Sequence, residues 1–104
     1  MIIVTTENIA GREISETLGI ARGNTVRAKH VGKDILAGLR SIIGGEIKEY
    51  VEAISEAREE SLKRMIENAK EMEADAIVNV RFATSQVMPG AAELLVYGTA
   101  VKQK

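Results

Sequence analysis

Residues 44–73 constrain the fold more than any other part of this sequence, because they join a glycine pair to one long amphipathic pattern. Gly44 and Gly45 precede a run in which apolar side chains recur every three or four residues and so share one side of a helix. Glu46 falls in the first turn, where the helix dipole favours an acidic side chain. The apolar side consists of Ile47, Val51, Ile54, Leu62, Met65, Ala69 and Met72. The pattern predicts a glycine corner leading into a single long helix.

The glycine pair has a second interpretation. Asp34 can cap a short helix over residues 35–43, which Gly44 would end. Glycines before a helix can also bind an anion through free backbone N–H groups. The lysine and hydroxyl residue of a phosphate-binding loop do not follow these glycines, so we favour the simple corner.

Arg58 interrupts the apolar pattern, since it projects only about 20° from Ile47. An unpaired buried charge costs several kcal/mol. A fixed ion pair, within the chain or across a subunit contact, is the favoured hypothesis. Extension of the side chain into solvent ranks close behind. An enzyme site shared between subunits, built from Arg58, Tyr50 and Glu46, ranks last.

The predicted helix is long for a chain of 104 residues. About 27 residues at 1.5 Å each span about 40 Å, whereas a compact domain of this size is roughly 33 Å across. The helix would extend beyond such a domain, which favours an oligomer.

Composition bounds the function. The chain has one domain's length, 45% hydrophobic residues and a formal net charge of −1. Its basic residues are scattered and its aromatic residues are few, which argues against nucleic-acid binding. It has no cysteine, so disulfides, thiolate catalysis and cysteine zinc sites are excluded. No apolar run reaches the length of a membrane span. We expect a cytoplasmic protein with no membrane partner.

Four segments have the composition of strands. Residues 1–6 form a β-branched run, and residues 13–28 predict two short strands or one strand with a bulge. Residues 76–83 would place Val78, Val80 and Phe82 towards the helix and Ile77, Asn79 and Arg81 away from it. The last strand, residues 93–102, is apolar on both faces. Because one helix covers only one face of a sheet, we expect a neighbouring subunit to cover the other.

Five short motifs occur in an order that resembles the YbjQ family. They are Gly44-Gly45-Glu46, Tyr50, Glu56-Ala57-Arg58, Ala74-Asp75-Ala76-Ile77-Val78 and Tyr97-Gly98-Thr99-Ala100-Val101. The resemblance covers the whole chain. It implies a single α+β domain over residues 1–104, with a β-α-β-β core that assembles into a ring, commonly a pentamer. The family is also labelled heavy-metal-binding.

The sequence departs from the family pattern at two points. Glu73 stands where a glycine usually ends the helix, so it either adopts a left-handed backbone at a cost of about 1 kcal/mol or the helix ends differently. Soft metals prefer thiolate ligands, and this chain has none.

The evidence for chemistry is sparse. His30, the one histidine, is a candidate metal ligand if copies of it or of a glutamate line the axis of a ring, but a solvated loop histidine is favoured. No serine has a histidine nearby in sequence. The structural or interface candidates are Gly44, Gly45, Glu46, Tyr50, Arg58, Asn79, Arg81, Tyr97 and Gly98.

We therefore predict a non-enzymatic, self-assembling protein with no resident cofactor and an unidentified ligand. The alternative is a metal-binding ring that uses His30, carboxylates or main-chain oxygens.

Overall fold

A computed structural model of the chain describes residues 1–28, 46–88 and 91–104. Within these ranges the elements are β1 (Ile2–Ile3), β2 (Ile14–Ala28), α1 (Glu46–Glu71), β3 (Ala76–Met88) and β4 (Ala91–Gln103). The strands form one sheet in the order β1-β3-β4-β2. β1 is parallel to β3, and the other neighbours are antiparallel. The prediction of an α+β fold with one long helix on a small sheet is confirmed. The predicted short helix, His30, Gly44 and Gly45 lie outside the described residues.

α1 packs on the sheet through small side chains. Its fully buried stripe has four-residue spacing and consists of Ala57, Ser61, Met65 and Ala69. The predicted stripe omitted Ala57 and Ser61, because neither is strongly hydrophobic. Arg58, next to this stripe, is exposed. In a single chain its guanidinium therefore reaches solvent, as in the second-ranked hypothesis.

The close approach of α1 to the sheet occurs at Gly23 in β2. A Cβ atom at this position would overlap the carbonyl oxygen of Ser61 and the amide nitrogen of Met65. Only glycine leaves room for the helix backbone here. This helix contact lies in the middle of a continuous strand.

The outer edge of β2 is hydrogen-bonded to side chains of α1. The amide of Arg22 donates to Asn68 Oδ1 at 3.0 Å. The carbonyl of Asn24 accepts from Arg64 Nη1 at 2.6 Å. An edge strand with unpaired backbone groups can pair with another chain, so α1 protects part of this edge.

α1 ends in a Schellman motif, in which the chain turns through a left-handed residue. The amide of Ala74 donates to the carbonyl of Ala69 at 3.0 Å, and the amide of Glu73 donates to the carbonyl of Lys70 at 2.9 Å. Glu73 has a φ of 62°. Of the two alternatives for Glu73, the structure shows the strained left-handed backbone.

Two bulges change which side chains face α1. In β3, Asn79 and Val80 together oppose Gly98, and Asn79 has a φ of 55°. As a result both Ile77 and Val80 lie in the core beneath α1. The strict alternation expected for β3 placed Ile77 on the wrong face, because the bulge adds one residue between Val78 and Arg81.

The second bulge is in β2, between Thr17 and Gly19, and Gly19 has a φ of 130°. It separates Leu18, which packs against the core under α1, from Ile20, which is 70% exposed. Of the two predicted alternatives, two short strands or one strand with a bulge, the structure has the second.

The other face of the sheet is partly covered by the chain itself. Ile9, in the loop between β1 and β2, packs against Ala76, Val78 and Val101. Val101 is 1% exposed. The expectation that only a neighbouring subunit could cover this face is therefore wrong at this end of the sheet, because the loop folds over it.

The molecule is elongated, with principal extents of 53 × 23 × 16 Å and a radius of gyration of 17.0 Å. A compact chain of this length would have a radius of gyration of about 13 Å. The 26 residues of α1 span about 39 Å, and the 13 residues of β3 and of β4 each span about 43 Å. α1 is thus no longer than these strands, so its length alone does not favour an oligomer.

Candidate functional site

The loop between β1 and β2, residues 4–13, is called the covering loop below. The main candidate site is the part of the sheet that faces away from α1 and lies beyond this loop. We call it the open face. Its side chains alternate along each strand with those that pack under α1. Three of its larger apolar residues remain accessible: Ile20 is 70% exposed, Val26 53% and Tyr97 40%. The open face consists of Ile20, Arg22, Asn24 and Val26 in β2, Glu93, Leu95, Tyr97 and Thr99 in β4, and Arg81, Ala83 and Ser85 in β3.

A row of three residues crosses the middle of the open face. Tyr97 is paired in register with Arg22 on one side and with Arg81 on the other. Adjacent strands are about 4.8 Å apart, so the backbones of the two arginines are about 10 Å apart with the tyrosine between them. All three residues are exposed. The row presents two guanidinium groups and a phenol hydroxyl, all of which can donate hydrogen bonds to an anion.

The covering loop holds one end of this row in place. Arg81 Nη1 donates to the carbonyl of Thr5 at 2.8 Å and to that of Val80 at 2.9 Å. The amide of Asn79 donates to the carbonyl of Thr6 at 2.9 Å. Arg81 therefore lies at the boundary between the covered and the open parts of the sheet.

A second polar contact lies farther along the open face. Asn24 Nδ2 donates to Glu93 Oε2 at 3.2 Å. Glu93 is the acidic residue among those of the open face, and its carboxylate accepts this hydrogen bond from Asn24.

The structure brings together two of the predicted candidates, Arg81 and Tyr97, on one surface. Sequence reasoning missed Arg22, because its place beside Tyr97 follows only from the register between β2 and β4.

Two other candidates, Gly98 and Asn79, belong to the bulge. A Cβ atom on Gly98 would lie 2.7 Å from Ile77 Cγ2 and 2.9 Å from the carbonyl oxygen of Val78. These two residues shape the sheet.

The remaining candidates are not combined in one site. Glu46 is the first residue of α1 and Tyr50 lies in its second turn, but their side chains lie outside the description. Arg58 is exposed on the same helix. The hypothetical site formed by these three residues stays a prediction.

Ser61 is buried and lies in a hydroxyl cluster between α1 and the sheet. Its Oγ is 2.8 Å from Thr25 Oγ1, 2.8 Å from the carbonyl oxygen of Ala57 and 3.1 Å from that of Leu94. A hydroxyl has one hydrogen to donate and lone pairs to accept with, so this set satisfies both hydroxyl groups. The cluster joins helix to sheet.

A shallow polar depression of about 500 Å³ lies at the end of the sheet, beside Arg12, Asp75 and Gln103. Arg12 Nη1 donates to Gln103 Oε1 at 2.7 Å, and the amide of Gln103 donates to Asp75 Oδ2 at 2.8 Å. The amide of Asp75 in turn donates to the carbonyl of Val101. These groups fasten the end of α1 to β4 and form a structural network.

Metal ligands and membrane spans can be assessed for the described part of the chain. Among the side chains that the structure describes, no group of three or more histidine, cysteine, aspartate or glutamate residues is arranged to hold a metal ion. Within residues 1–28, 46–88 and 91–104, α1 is too polar to cross a membrane.

Comparisons with known proteins support the resemblance. The family model YbjQ, described as "Putative heavy-metal-binding", matches residues 1–104. A UPF0145 protein of Methanosarcina acetivorans is 64% identical over 102 residues, which are 98% of this chain and 96% of the relative. A UPF0145 protein of Archaeoglobus fulgidus is 66% identical over 98% of this chain and 94% of the relative.

The fold is also similar to that of a crystal structure. A protein of unknown function from Pediococcus pentosaceus, assigned to the DUF74 family, has a TM-score of 0.60 and 18% sequence identity. The similarity covers 100% of this chain and 98% of that one. At this identity the likeness concerns the fold alone. With the family match over its whole length and relatives above 60% identity, the chain belongs to the YbjQ family, whose members here carry the name UPF0145.

Proposed function

We propose that this chain is a non-catalytic cytoplasmic protein that assembles with copies of itself through the open face. One observation carries the proposal. Ile20, Val26 and Tyr97 are 70%, 53% and 40% exposed on one face of the sheet, with the polar Arg22 and Asn24 between Ile20 and Val26. Exposed large apolar residues with polar residues around them on one surface support an interaction site.

The energetic argument concerns what an isolated chain leaves in water. Fully burying a large apolar side chain is worth about 1.5–3 kcal/mol. Three such residues at the centre of a contact contribute several kcal/mol against the entropy lost on association. The part of the same face at Val101 is already closed by Ile9, so what this face leaves exposed lies on the open face. On the other side of the sheet, Phe82 is 47% exposed.

The position of the open face supports the proposed form of the assembly. It is on one side of the molecule, and α1 is on the other. A contact between two different surfaces repeats from copy to copy and closes into a ring when the rotation permits. The ring, commonly a pentamer, that the family resemblance implies is an assembly of this kind.

The proposal of a non-catalytic role rests on composition. The chain has no cysteine and one histidine, so thiol chemistry is excluded and acid–base pairs with imidazole are limited to His30. The cytoplasmic location rests on the absence of cysteine, which suits a reducing compartment.

Light scattering coupled to gel filtration tests the proposal when wild type is compared with Ile20→Lys. Ile20 is mostly in solvent in one chain, so the lysine should fold normally but add a charge to the contact. We expect a discrete oligomer for wild type and smaller species for the variant. Ala10→Lys, at an exposed position in the loop between β1 and β2, adds the same single charge, so it is the matched control and should keep the wild-type mass. A wild-type monomer at micromolar concentration would refute the proposal.

A metal-binding ring is the second candidate, and the description of the matching family model is what favours it. The ligands available do not fit a soft heavy metal, because the chain has no thiolate. Imidazole and carboxylate ligands suit zinc, nickel or manganese, and His30 is the one imidazole.

Calorimetry and elemental analysis with zinc, nickel, copper and manganese test this second candidate. Stoichiometric binding by wild type that His30→Ala abolishes would support it. Binding that is unchanged in His30→Ala would exclude His30 as the ligand, and an absence of both heat and retained metal would exclude the function.

A further inference from the structure

We propose that the open face is occupied by the outer surface of α1 of a second copy, with Glu52, Glu56 and Glu59 opposite the row of Arg22, Tyr97 and Arg81. This inference rests on the proposed self-assembly and adds the identity of the partner surface. It comes from complementary charge and from matching spacing on the two surfaces.

The sheet contributes a row of donors. Arg22 and Arg81 flank Tyr97 at about 5 Å on either side, so the row is about 10 Å long. The described bonds of Arg81, to the carbonyl of Thr5 in the covering loop and to that of Val80 in β3, use Nη1. A guanidinium has five N–H donors in a fixed fork, so the group held in this way can still bind a carboxylate.

The helix contributes a row of acceptors. Glu52, Glu56 and Glu59 are spaced i, i+4 and i+7, which places them within about 60° of one direction on α1. At 1.5 Å per residue the row is about 10 Å long. All three are exposed, and they point away from the buried stripe that contains Ser61.

The neighbouring charges leave this acidic row available to a partner. The ion pair on this part of α1 joins Glu60 to Arg64 at 3.3 Å. Within the described part of the chain, Glu52, Glu56 and Glu59 take no part in an ion pair. The helix therefore presents three carboxylates at the spacing of the arginine–tyrosine–arginine row, followed one turn later on the same side by the exposed Lys63.

The chemistry of the contact follows from these groups. Each guanidinium binds a carboxylate through charge-assisted hydrogen bonds, and the Tyr97 hydroxyl donates to the central one. Ile20 and Leu95, on either side of the row, exclude water around it. Since every copy has one open face and one helix, the same contact can repeat around a ring.

The edge of β2 is a less suitable partner surface. Its backbone groups at Arg22 and Asn24 already bind Asn68 and Arg64 of the same chain. Strand addition at this point would require α1 to give up those bonds, whereas docking on the open face leaves them intact.

Charge reversal tests the inference. Glu52→Arg/Glu59→Arg should place four positive charges together and raise the dissociation constant at least about 100-fold, because like charges in a contact are strongly unfavourable. Arg22→Glu/Arg81→Glu should do the same. The quadruple variant exchanges the charges and should restore the wild-type mass, whatever the number of subunits.

The matched control is Glu67→Arg/Glu71→Arg, which makes the same change in net charge on the other half of α1. It should leave the assembly unchanged, and circular dichroism of each variant should show a wild-type fold. An oligomer that survives both reversals, or that the control dissociates equally, would overturn the inference while leaving self-assembly in place. A wild-type monomer would remove both.

Discussion

Gly23 of β2 lies directly against the backbone of α1 at Ser61, with no space for a Cβ atom between them. This contact sets the distance between the helix and the sheet. It also brings the Ser61 hydroxyl within 2.8 Å of Thr25 Oγ1, two residues along the same strand. The open face is the opposite side of this strand, so the position of α1 determines which side chains remain exposed.

Gly23→Ala should destabilise the fold by about 3 kcal/mol, because the added methyl group meets backbone atoms that cannot rotate away. Urea unfolding at fixed protein concentration measures the change. Gly11→Ala is the control: Gly11 has a φ of 73°, but nothing lies within 4 Å of the added atom. Its cost should be only the backbone strain, about 1 kcal/mol. Equal losses in the two variants would contradict the close contact at Gly23.

Glu73→Gly should stabilise the protein by about 1 kcal/mol. Glu73 has a left-handed backbone with a φ of 62° at the end of α1, where glycine has no Cβ penalty. Thermal and urea unfolding measure the effect. Glu73→Ala keeps the penalty and should give no comparable gain, so a stabilisation by alanine as large as that by glycine would show that the glutamate charge is responsible instead.

These two positions show how far the sequence predicts the fold. Helix periodicity gave α1 nearly to its ends, and the family pattern singled out Glu73. The proximity of Gly23 to Ser61 could not be predicted, since it depends on how α1 lies across the sheet.

The strands were predicted less well than the helix. The predicted strand ended at residue 83, whereas β3 continues to Met88. Its polar end is held by backbone pairing with β4, and a hydrophobic pattern does not reveal such pairing. The bulge at Asn79 reversed the face expected for Ile77. Ile9, an isolated apolar residue in a polar stretch, gave no signal that its loop covers the sheet.

Ser61→Ala should cost about 1–2 kcal/mol, because it leaves the buried Thr25 hydroxyl without its partner in the described structure. Thr25→Val should cost less, because the Ser61 hydroxyl keeps the carbonyl oxygens of Ala57 and Leu94 as acceptors. The double variant should lose clearly less than the sum of the two, since removing both partners leaves no unpaired hydroxyl. Additive losses in this double-mutant cycle would show that the two hydroxyl groups act independently.

Gly98→Ala should destabilise the sheet by about 1–3 kcal/mol. Its methyl group would lie 2.7 Å from Ile77 Cγ2 and 3.0 Å from Val80 Cγ2, the two side chains that the bulge directs over Gly98. Ile77→Ala removes the nearest of these atoms, so the double variant should lose less than the sum of the two single variants. If the two substitutions prove strictly additive in urea unfolding, Gly98 does not accommodate the bulge.

The candidate site was predictable only in part. Arg81 and Tyr97 were identified as interface candidates from their strands, and they do share a surface. Arg22 joins them through the register between strands that are far apart in sequence, which one sequence does not specify. Residues such as His30 lie outside the described structure, so their role stays a prediction.

Native mass spectrometry of the wild-type protein at micromolar concentration tests the central claim most directly. The account predicts one discrete oligomer whose mass is an integral multiple of 11.3 kDa. A single species at 11.3 kDa, unchanged by concentration, would contradict it.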